Sequence, residues 1–223
     1  MTADNRSPLV TLSNPRSALS EAYRSLRTNL EFAGLTGPLH SVVITSPGPG
    51  EGKSTTLANL AVTMAQAGRR TIVVDADLRR PSQHTLFGLA QEPGLTSMFI
   101  DAALRAAPPL QATEVEGLWL LASGPQPPNP AELLASPPMG EVIAALTARA
   151  DIVLFDAPPV VAVTDAAVLA SKVDGVLLVI QAGKTKRDQA ARAKTLLEQV
   201  HARVVGTALT NVKLEGLPKD YYG

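Results

Sequence analysis

The stretch SPGPGEGKST at 46–55 decides the fold. It follows HSVVIT at 40–45, a short β-branched run typical of a buried strand, and it leads into the helical pattern KSTTLANLAVTMAQAG at 53–68. A strand, a Gly-rich turn and a helix in this order are the setting of a phosphate-binding P-loop. Backbone N–H groups from Gly48 to Ser54 can turn toward phosphate oxygens, and the N-terminus of the helix adds positive potential.

Individual loop residues have separate predicted roles. Lys53 would bridge the β- and γ-phosphates of a nucleoside triphosphate, and Ser54 would hold Mg²⁺ through its hydroxyl. The pattern G-x-x-x-x-G-K-[ST] has Gly where this chain has Pro47, although three glycines remain in the loop. The alternative is a Gly-rich turn that binds no ligand. The residues predicted to bind the nucleotide here are Gly48, Pro49, Gly50, Glu51, Gly52, Lys53, Ser54 and Thr55.

Four further runs predict strands, and each is apolar nearly throughout, as in a parallel sheet buried on both faces. They are RTIVVDAD at 70–77, DIVLFDAPP at 151–159, DGVLLVI at 174–180 and RVVGTALTNV at 203–212. Helical patterns between them are MGEVIAALTAR at 139–149, TDAAVLASK at 164–172 and KRDQAARAKTLLEQV at 186–200. We therefore predict an α/β fold, a single P-loop domain over 1–223 with a mainly parallel central sheet covered by helices on both faces.

The remaining segments are predicted to be a first helix and two connections. NPRSALSEAYRSLRTNLEFAG at 14–34 predicts a helix with Asn14 as its N-cap, Pro15 in its first turn and Gly34 at its end. The Pro-containing segment 104–117 is predicted to be a connection. The segment 122–138 is predicted to be a rigid loop and a short helix at the surface.

Acidic residues follow the second and third predicted strands. In a parallel sheet Asp75, Asp77 and Asp156 gather at the same edge as the P-loop. Three carboxylates beside a triphosphate would repel it unless a divalent cation lies between them, so we predict a Mg²⁺ site formed by these residues and Ser54. The alternative for any one Asp is a cap on the next turn.

Asp75 and Asp77 lie two residues apart on the same face of the chain. One of them can therefore order the metal while the other faces an acceptor, and we assign the acceptor side to Asp77 as the catalytic base. Lys53, Asp75 and Asp156 complete the predicted catalytic set. Arg79 and Arg80 follow directly and are expected to balance the acidic site; plain surface charges are the alternative.

Composition excludes several functions. The 223 residues include 20 Lys plus Arg, 20 Asp plus Glu and no Cys, so neither a nucleic-acid partner nor a thiol nucleophile is indicated. The lack of cysteine is compatible with a cytoplasmic location. No apolar run is long enough to span a bilayer, so we expect no direct membrane insertion. Any membrane anchor would have to come from a partner.

Five segments together resemble the bacterial tyrosine kinases, or BY-kinases, of capsule and exopolysaccharide export. SPGPGEGKST, VVDADLRRP and VLFDAPPV are similar to the Walker A, A′ and B motifs of that family. EAYRSLRTNLEFA resembles its N-terminal helix, and GLWLLASGPQPPNPAELLASPPM resembles a stretch between its A′ and B motifs. The resemblance runs from about residue 17 to residue 211.

This resemblance implies an activity and its partners. The chain would use ATP and Mg²⁺ to phosphorylate tyrosine, at the inner face of the plasma membrane, with a transmembrane polysaccharide co-polymerase as activator. Glu21, Arg24 and Arg27, which spacing alone would assign to a solvated helix face, would join subunits of a homo-oligomeric ring through the segment 1–36.

The same resemblance gives the chain's end a role. Tyr221 and Tyr222, in the tail 212–223, would be phosphoacceptors, although family members often carry a larger tyrosine cluster. Asn211 ends the last predicted strand, where related folds read a purine with an Asn amide; a plain strand-end turn is the alternative.

Two other functions remain open at this point. The dimerising ATPases of the MinD/ParA group share the fold, but they carry a signature lysine five residues before the main lysine, and this chain has Gly48 there. Such an ATPase would switch partners and phosphorylate nothing. A catalytically inactive nucleotide-binding scaffold is the third reading.

Overall fold

A seven-stranded sheet runs through the part of the chain that the structure describes, residues 9–212 of a computed structural model. The strands lie in the order β3-β4-β2-β5-β1-β6-β7, and all neighbours are parallel except β3, which runs antiparallel to β4. Their bounds are β1 Ser41–Thr45, β2 Thr71–Asp75, β3 Gln111–Ala112, β4 Leu118–Leu121, β5 Ile152–Asp156, β6 Gly175–Gln181 and β7 Val204–Thr210.

Ten α-helices connect these strands within residues 9–212, and a short 3-10 turn at Gly34–Thr36 follows the second of them. Their bounds are α1 Val10–Ser13, α2 Ala18–Ala33, α3 Lys53–Gln66, α4 Gln83–Phe87, α5 Ser97–Ile100, α6 Ala103–Ala106, α7 Pro130–Ala135, α8 Pro138–Thr147, α9 Asp165–Ala170 and α10 Arg187–Gln199.

Side chains of each central strand alternate between two cores, one on each face of the sheet. Val43 and Phe155 point into the core covered by α8, α9 and α10, whereas Val42, Ile44 and Leu154 point into the core covered by α3. Both faces are therefore buried, which explains why the strands are apolar nearly throughout. The predicted parallel α/β architecture is confirmed.

The register between neighbouring strands determines where the candidate site lies. Asp75 at the end of β2 lies opposite Asp156 at the end of β5, and Asp156 lies opposite Ile44 near the end of β1. The loop that leads to α3 leaves β1 one residue later. Two of the three predicted acids and the P-loop thus meet at one edge because three neighbouring strands end together.

The prediction for the start of the first helix was wrong. Asn14 terminates the short helix α1, and α2 begins at Ala18 with Ser17 as its N-cap. The Ser17 hydroxyl accepts the backbone N–H of Ser20 at 3.2 Å. A serine three residues later thus takes the capping role for which Asn14 has the right side chain.

The two Pro-containing connections also differ from the prediction, because β3 and β4 lie in and beside them. Leu118–Leu121 is only four residues long, too short for its apolar character to separate it from a loop. In the second segment α7 is the expected short helix, but its Leu134 is fully buried in the core and not at the surface.

Among the helices that the structure describes, none combines the length and the apolar character needed to cross a membrane.

Asp174, the residue before β6, is hydrogen-bonded to the beginning of β1, at the end of the strands opposite the P-loop. Its Oδ2 accepts the backbone N–H of His40 at 2.9 Å, and both the N–H and the hydroxyl of Ser41 at 2.8 Å. Asp174→Ala should lower the free energy of unfolding by about 2 kcal/mol, because three donors lose a charged acceptor.

Urea denaturation measures this effect. Glu114→Ala, which removes an exposed carboxylate, should change the stability by less than about 0.5 kcal/mol. Equal stabilities of Asp174→Ala and Glu114→Ala would contradict the structural role of Asp174.

Candidate functional site

The loop between β1 and α3 has the backbone of an anion site. Gly50 and Gly52 have φ of 66° and 89°, in the left-handed region that favours glycine. Gly52 is the N-cap of α3 and provides no capping side chain, so the first N–H groups of α3 remain open to a ligand. Lys53, Ser54 and Thr55 form the first turn of that helix, as predicted.

Glu51 is buried in the loop, and its side chain points back into the protein. One carboxylate oxygen accepts the Gly48 N–H at 3.1 Å, and the other accepts the Thr185 hydroxyl at 2.6 Å. Glu51 was predicted to bind the nucleotide, but only its backbone remains available to phosphate. The side chain instead braces the loop, a role that no sequence pattern indicated.

Lys53 lies between two of the predicted acids. Its Nζ is 2.8 Å from Asp77 Oδ2 and 3.1 Å from Asp156 Oδ1, and it donates to the Ser54 hydroxyl at 3.1 Å. The Lys53 side chain is 11% exposed and the two carboxylates are 5% and 0% exposed. Burial alone would lower the pKa of Lys53, but attraction to Asp156 and Asp77 outweighs burial and raises it.

Asp75 lies beside this cluster without a cation of its own. One oxygen accepts the backbone N–H groups of Ser82 and Gln83, both at 2.8 Å, and Oδ1 is buried with no hydrogen-bond partner among the described residues. Burial, followed by repulsion from Asp156, raises the pKa of Asp75 to about 7. The site therefore holds more carboxylate than its one lysine can neutralise.

Gln83 connects the pieces of the site and was missed in the sequence. Its side-chain amide donates to Asp156 Oδ2 at 2.8 Å and to the Ser54 carbonyl at 3.2 Å, and the residue is fully buried. No motif contains it, because its contacts come from the fold and not from spacing.

Arg79 makes its direct contact outside the acidic site. Its guanidinium pairs with the buried Asp165 of α9, with both nitrogen–oxygen distances at 2.9 Å. The hydrogen bonds to Asp165, and then the charges of Asp165 and Asp77, raise the pKa of Arg79, so its charge still acts on the acidic site from a distance. Arg80 reaches the acidic site only through its backbone N–H, which donates to Asp77 Oδ1 at 3.1 Å.

The oxygens of this site suit Mg²⁺ in chemical type, since Mg²⁺ prefers carboxylate and hydroxyl ligands. Within the described residues no three acidic or histidine side chains form a group that could hold a metal by themselves. This agrees with the usual binding of Mg²⁺ by one or two carboxylates together with phosphate oxygens and water. The unpartnered Oδ1 of Asp75 also fits an added cation.

A groove of about 930 Å³ opens beside the loop, between α2 and the end of β7. Gly50, Gly52 and Thr55 form one wall, Tyr23 lies on the α2 side, and Asn211 lies at the end of β7. Its volume is in the range of roughly 300–1,000 Å³ that small-molecule sites occupy. Lys53 and the three strand-end aspartates do not line the groove. The groove can therefore hold only the part of a nucleotide that lies away from these residues.

The predicted oligomerisation residues lie on α2 and make contacts within the chain. Arg24 pairs with Glu21 and donates to the Pro15 carbonyl at 2.7 Å. Arg27 donates to the Thr63 carbonyl of α3 at 3.1 Å. Tyr221 and Tyr222 lie outside the described residues.

Comparison with known proteins supplies the family. Residues 39–216 match the family described as ParA, NUBPL iron-transfer P-loop NTPase. The chain is 45% identical over 217 residues to the tyrosine-protein kinase YwqD of Bacillus subtilis. The aligned region covers 96% of this chain and 91% of that protein.

Solved structures agree with this match. The chimerical protein CapA2B2 superposes with a TM-score of 0.86 at 38% identity, over 91% of this chain and 89% of that one. The kinase domain of the Escherichia coli tyrosine kinase ETK gives a TM-score of 0.87 at 30% identity, over 98% of this chain and 86% of that one. With its P-loop, its strand-end acids and these relatives, the chain belongs to the bacterial tyrosine-protein kinases, built on the P-loop fold shared with ParA.

Proposed function

We propose that this protein transfers the γ-phosphoryl group of ATP to C-terminal tyrosines of a neighbouring copy. The observation that carries this proposal is the buried ammonium of Lys53, held by Asp77 and Asp156 at the mouth of a glycine-rich anion loop. A site with this charge arrangement suits a ligand that combines phosphate with a divalent cation.

The parts of the nucleotide would be divided among three regions. Phosphates would lie against the N–H groups of the loop 48–54, and Ser54 with Asp75 and Asp156 would hold Mg²⁺. Asn211 would read the purine at the end of the groove. Its placement beside Gly50 and Gly52 supports this role, because base and phosphate sites must be neighbours.

In the transfer, the bond between the γ-phosphorus and the bridging oxygen to the β-phosphate breaks, and a bond to the tyrosine oxygen forms. ADP leaves with the bridging oxygen. Lys53 stabilises the charge on the transferring group, and bound Mg²⁺ supplies further neutralisation of the phosphates. Asp77 accepts the phenol proton, which is otherwise lost only near pH 10.

The proposed assembly is a homo-oligomeric ring at the inner face of the plasma membrane, in the cytoplasm. Glu21, Arg24 and Arg27 would exchange some of their contacts within the chain for contacts to a neighbour. A transmembrane activator would anchor the ring and couple it to the polymerisation and export of capsule or exopolysaccharide. The relatives named as tyrosine-protein kinases support the tyrosine-kinase activity that this assembly would serve.

Asp77 and Asp156 form a matched pair for testing the division of roles, because both hold Lys53. Asp77→Asn should lower the turnover number about 100-fold, the scale of a general base, with Mg·ATP affinity close to wild type. Asp156→Asn should weaken Mg·ATP binding itself. Titration calorimetry with ATP in the presence and absence of Mg²⁺ measures both affinities. Equal losses of Mg·ATP affinity in the two variants would refute the assignment.

A mixing experiment tests transfer between copies. Lys53→Met protein with an intact tail is incubated with active protein that carries Tyr221→Phe and Tyr222→Phe. Phosphotyrosine, located by mass spectrometry, should appear on the tail of the Lys53→Met chain, because that chain cannot phosphorylate itself.

Four outcomes would overturn this proposal. Wild-type labelling at a rate independent of protein concentration, with none on the Lys53→Met chain, indicates transfer within one copy. Label on Tyr23 alone excludes the tail as the acceptor. Free phosphate without labelled protein indicates an ATPase switch of the ParA type. The absence of both free phosphate and labelled protein indicates a scaffold.

A further inference from the structure

Lys184 brings a second ammonium group to the P-loop from a distant part of the chain. It lies in the turn between β6 and α10, and its Nζ donates to the carbonyl oxygens of Pro49 and Gly50 at 2.8 Å and 3.0 Å. Sequence patterns did not single it out, because it is an exposed lysine about 130 residues from the loop.

The two carbonyls belong to peptide groups whose N–H groups are part of the loop. The Pro49 carbonyl shares its peptide group with the Gly50 N–H, and the Gly50 carbonyl shares its own with the Glu51 N–H. Neither N–H has a hydrogen-bond acceptor among the described residues. A cation at the oxygen end of a peptide group polarises it and makes its N–H a stronger donor, as in chains of hydrogen bonds.

The turn that carries Lys184 is fixed to the loop by neighbouring contacts. The Thr185 hydroxyl donates to Glu51 at 2.6 Å and also accepts the Gln181 N–H at 3.0 Å. The Thr210 hydroxyl donates to the Glu51 carbonyl at 2.8 Å. A lysine on a free loop would lose its position to solvent, but here the next residue, Thr185, is hydrogen-bonded both to the P-loop and to Gln181 at the start of the turn.

The charges around the loop explain what the Lys184 ammonium adds: positive charge that no carboxylate of the site neutralises. The Glu51 carboxylate is buried in the loop, and its negative charge opposes an incoming phosphate. Lys53 is already shared between Asp77 and Asp156. Lys184 has no carboxylate partner in the described part of the chain, so its charge can act on the loop and on a ligand inside it.

We propose that Lys184 is a positioning residue for nucleotide phosphates, acting through the peptide groups of Pro49–Gly50 and Gly50–Glu51. It raises the affinity of the loop for the phosphate chain of ATP and ADP and leaves the nucleoside part unaffected. This inference rests on the proposed nucleotide-binding function.

The experiment compares ligands that differ only in phosphate. ATP, ADP and adenosine compete with a fluorescent ATP analogue for wild type, Lys184→Met, Lys184→Arg and Lys172→Met. Lys172 is an exposed lysine whose side chain does not contact the loop, so its variant controls for net charge. Melting temperatures verify that all four proteins are folded.

Lys184→Met should weaken ATP and ADP binding about three- to fivefold, the scale of an exposed charge interaction, and the difference should shrink as salt rises. Its affinity for adenosine should equal that of wild type. Lys184→Arg should recover most of the loss, since it keeps a cationic donor, and Lys172→Met should bind all three ligands like wild type.

Two results would overturn the inference while the proposed function stands. Wild-type ATP affinity in Lys184→Met shows that the ammonium has no effect on phosphate. Equal losses for adenosine and ATP show that Lys184 only supports the structure of the site. If wild type itself does not bind ATP, the proposed function fails and the inference fails with it.

Discussion

The arrangement of this site depends on one ammonium between two buried carboxylates. Asp77 and Asp156 are almost inaccessible to solvent, and a buried charge without a partner costs several kcal/mol. Lys53 offsets part of that cost at the point where β1, β2 and β5 end together. The Lys53 side chain thus joins the P-loop and the helix α3 to the two acidic strand ends. It stabilises the fold at this point in addition to its proposed role in the reaction.

In the proposed function, this arrangement would link the binding of phosphate to the binding of a metal ion. Phosphate oxygens can attract Lys53 only by weakening its pairing with Asp77 and Asp156, and both carboxylates then need another cation. Asp75, whose pKa is raised to about 7 by burial and by Asp156, would also become more acidic beside a cation. The charges of the protein therefore favour binding of phosphate and Mg²⁺ together over binding of either alone.

The sequence predicted the parts of this structure that depend on local patterns. Strand, loop and helix around Lys53 are adjacent in the chain, and Asp75 and Asp156 end apolar runs, so their meeting follows from parallel topology. The short strand Leu118–Leu121 was missed because four apolar residues do not separate a strand from a loop. The contacts of Glu51, Gln83 and Lys184 were missed because they join residues that only the fold brings near.

The glycines of the loop explain why those distant contacts matter. A loop with Gly48, Gly50 and Gly52 reaches left-handed conformations easily, but it also has the most conformational entropy to lose when it closes around a ligand. Hydrogen bonds from the turn after β6 and from the end of β7 hold its outer side before any ligand arrives. Preorganisation of the loop therefore comes from the edge of the sheet next to α2. A contact that shifts this edge would change the shape of the phosphate site through the same hydrogen bonds.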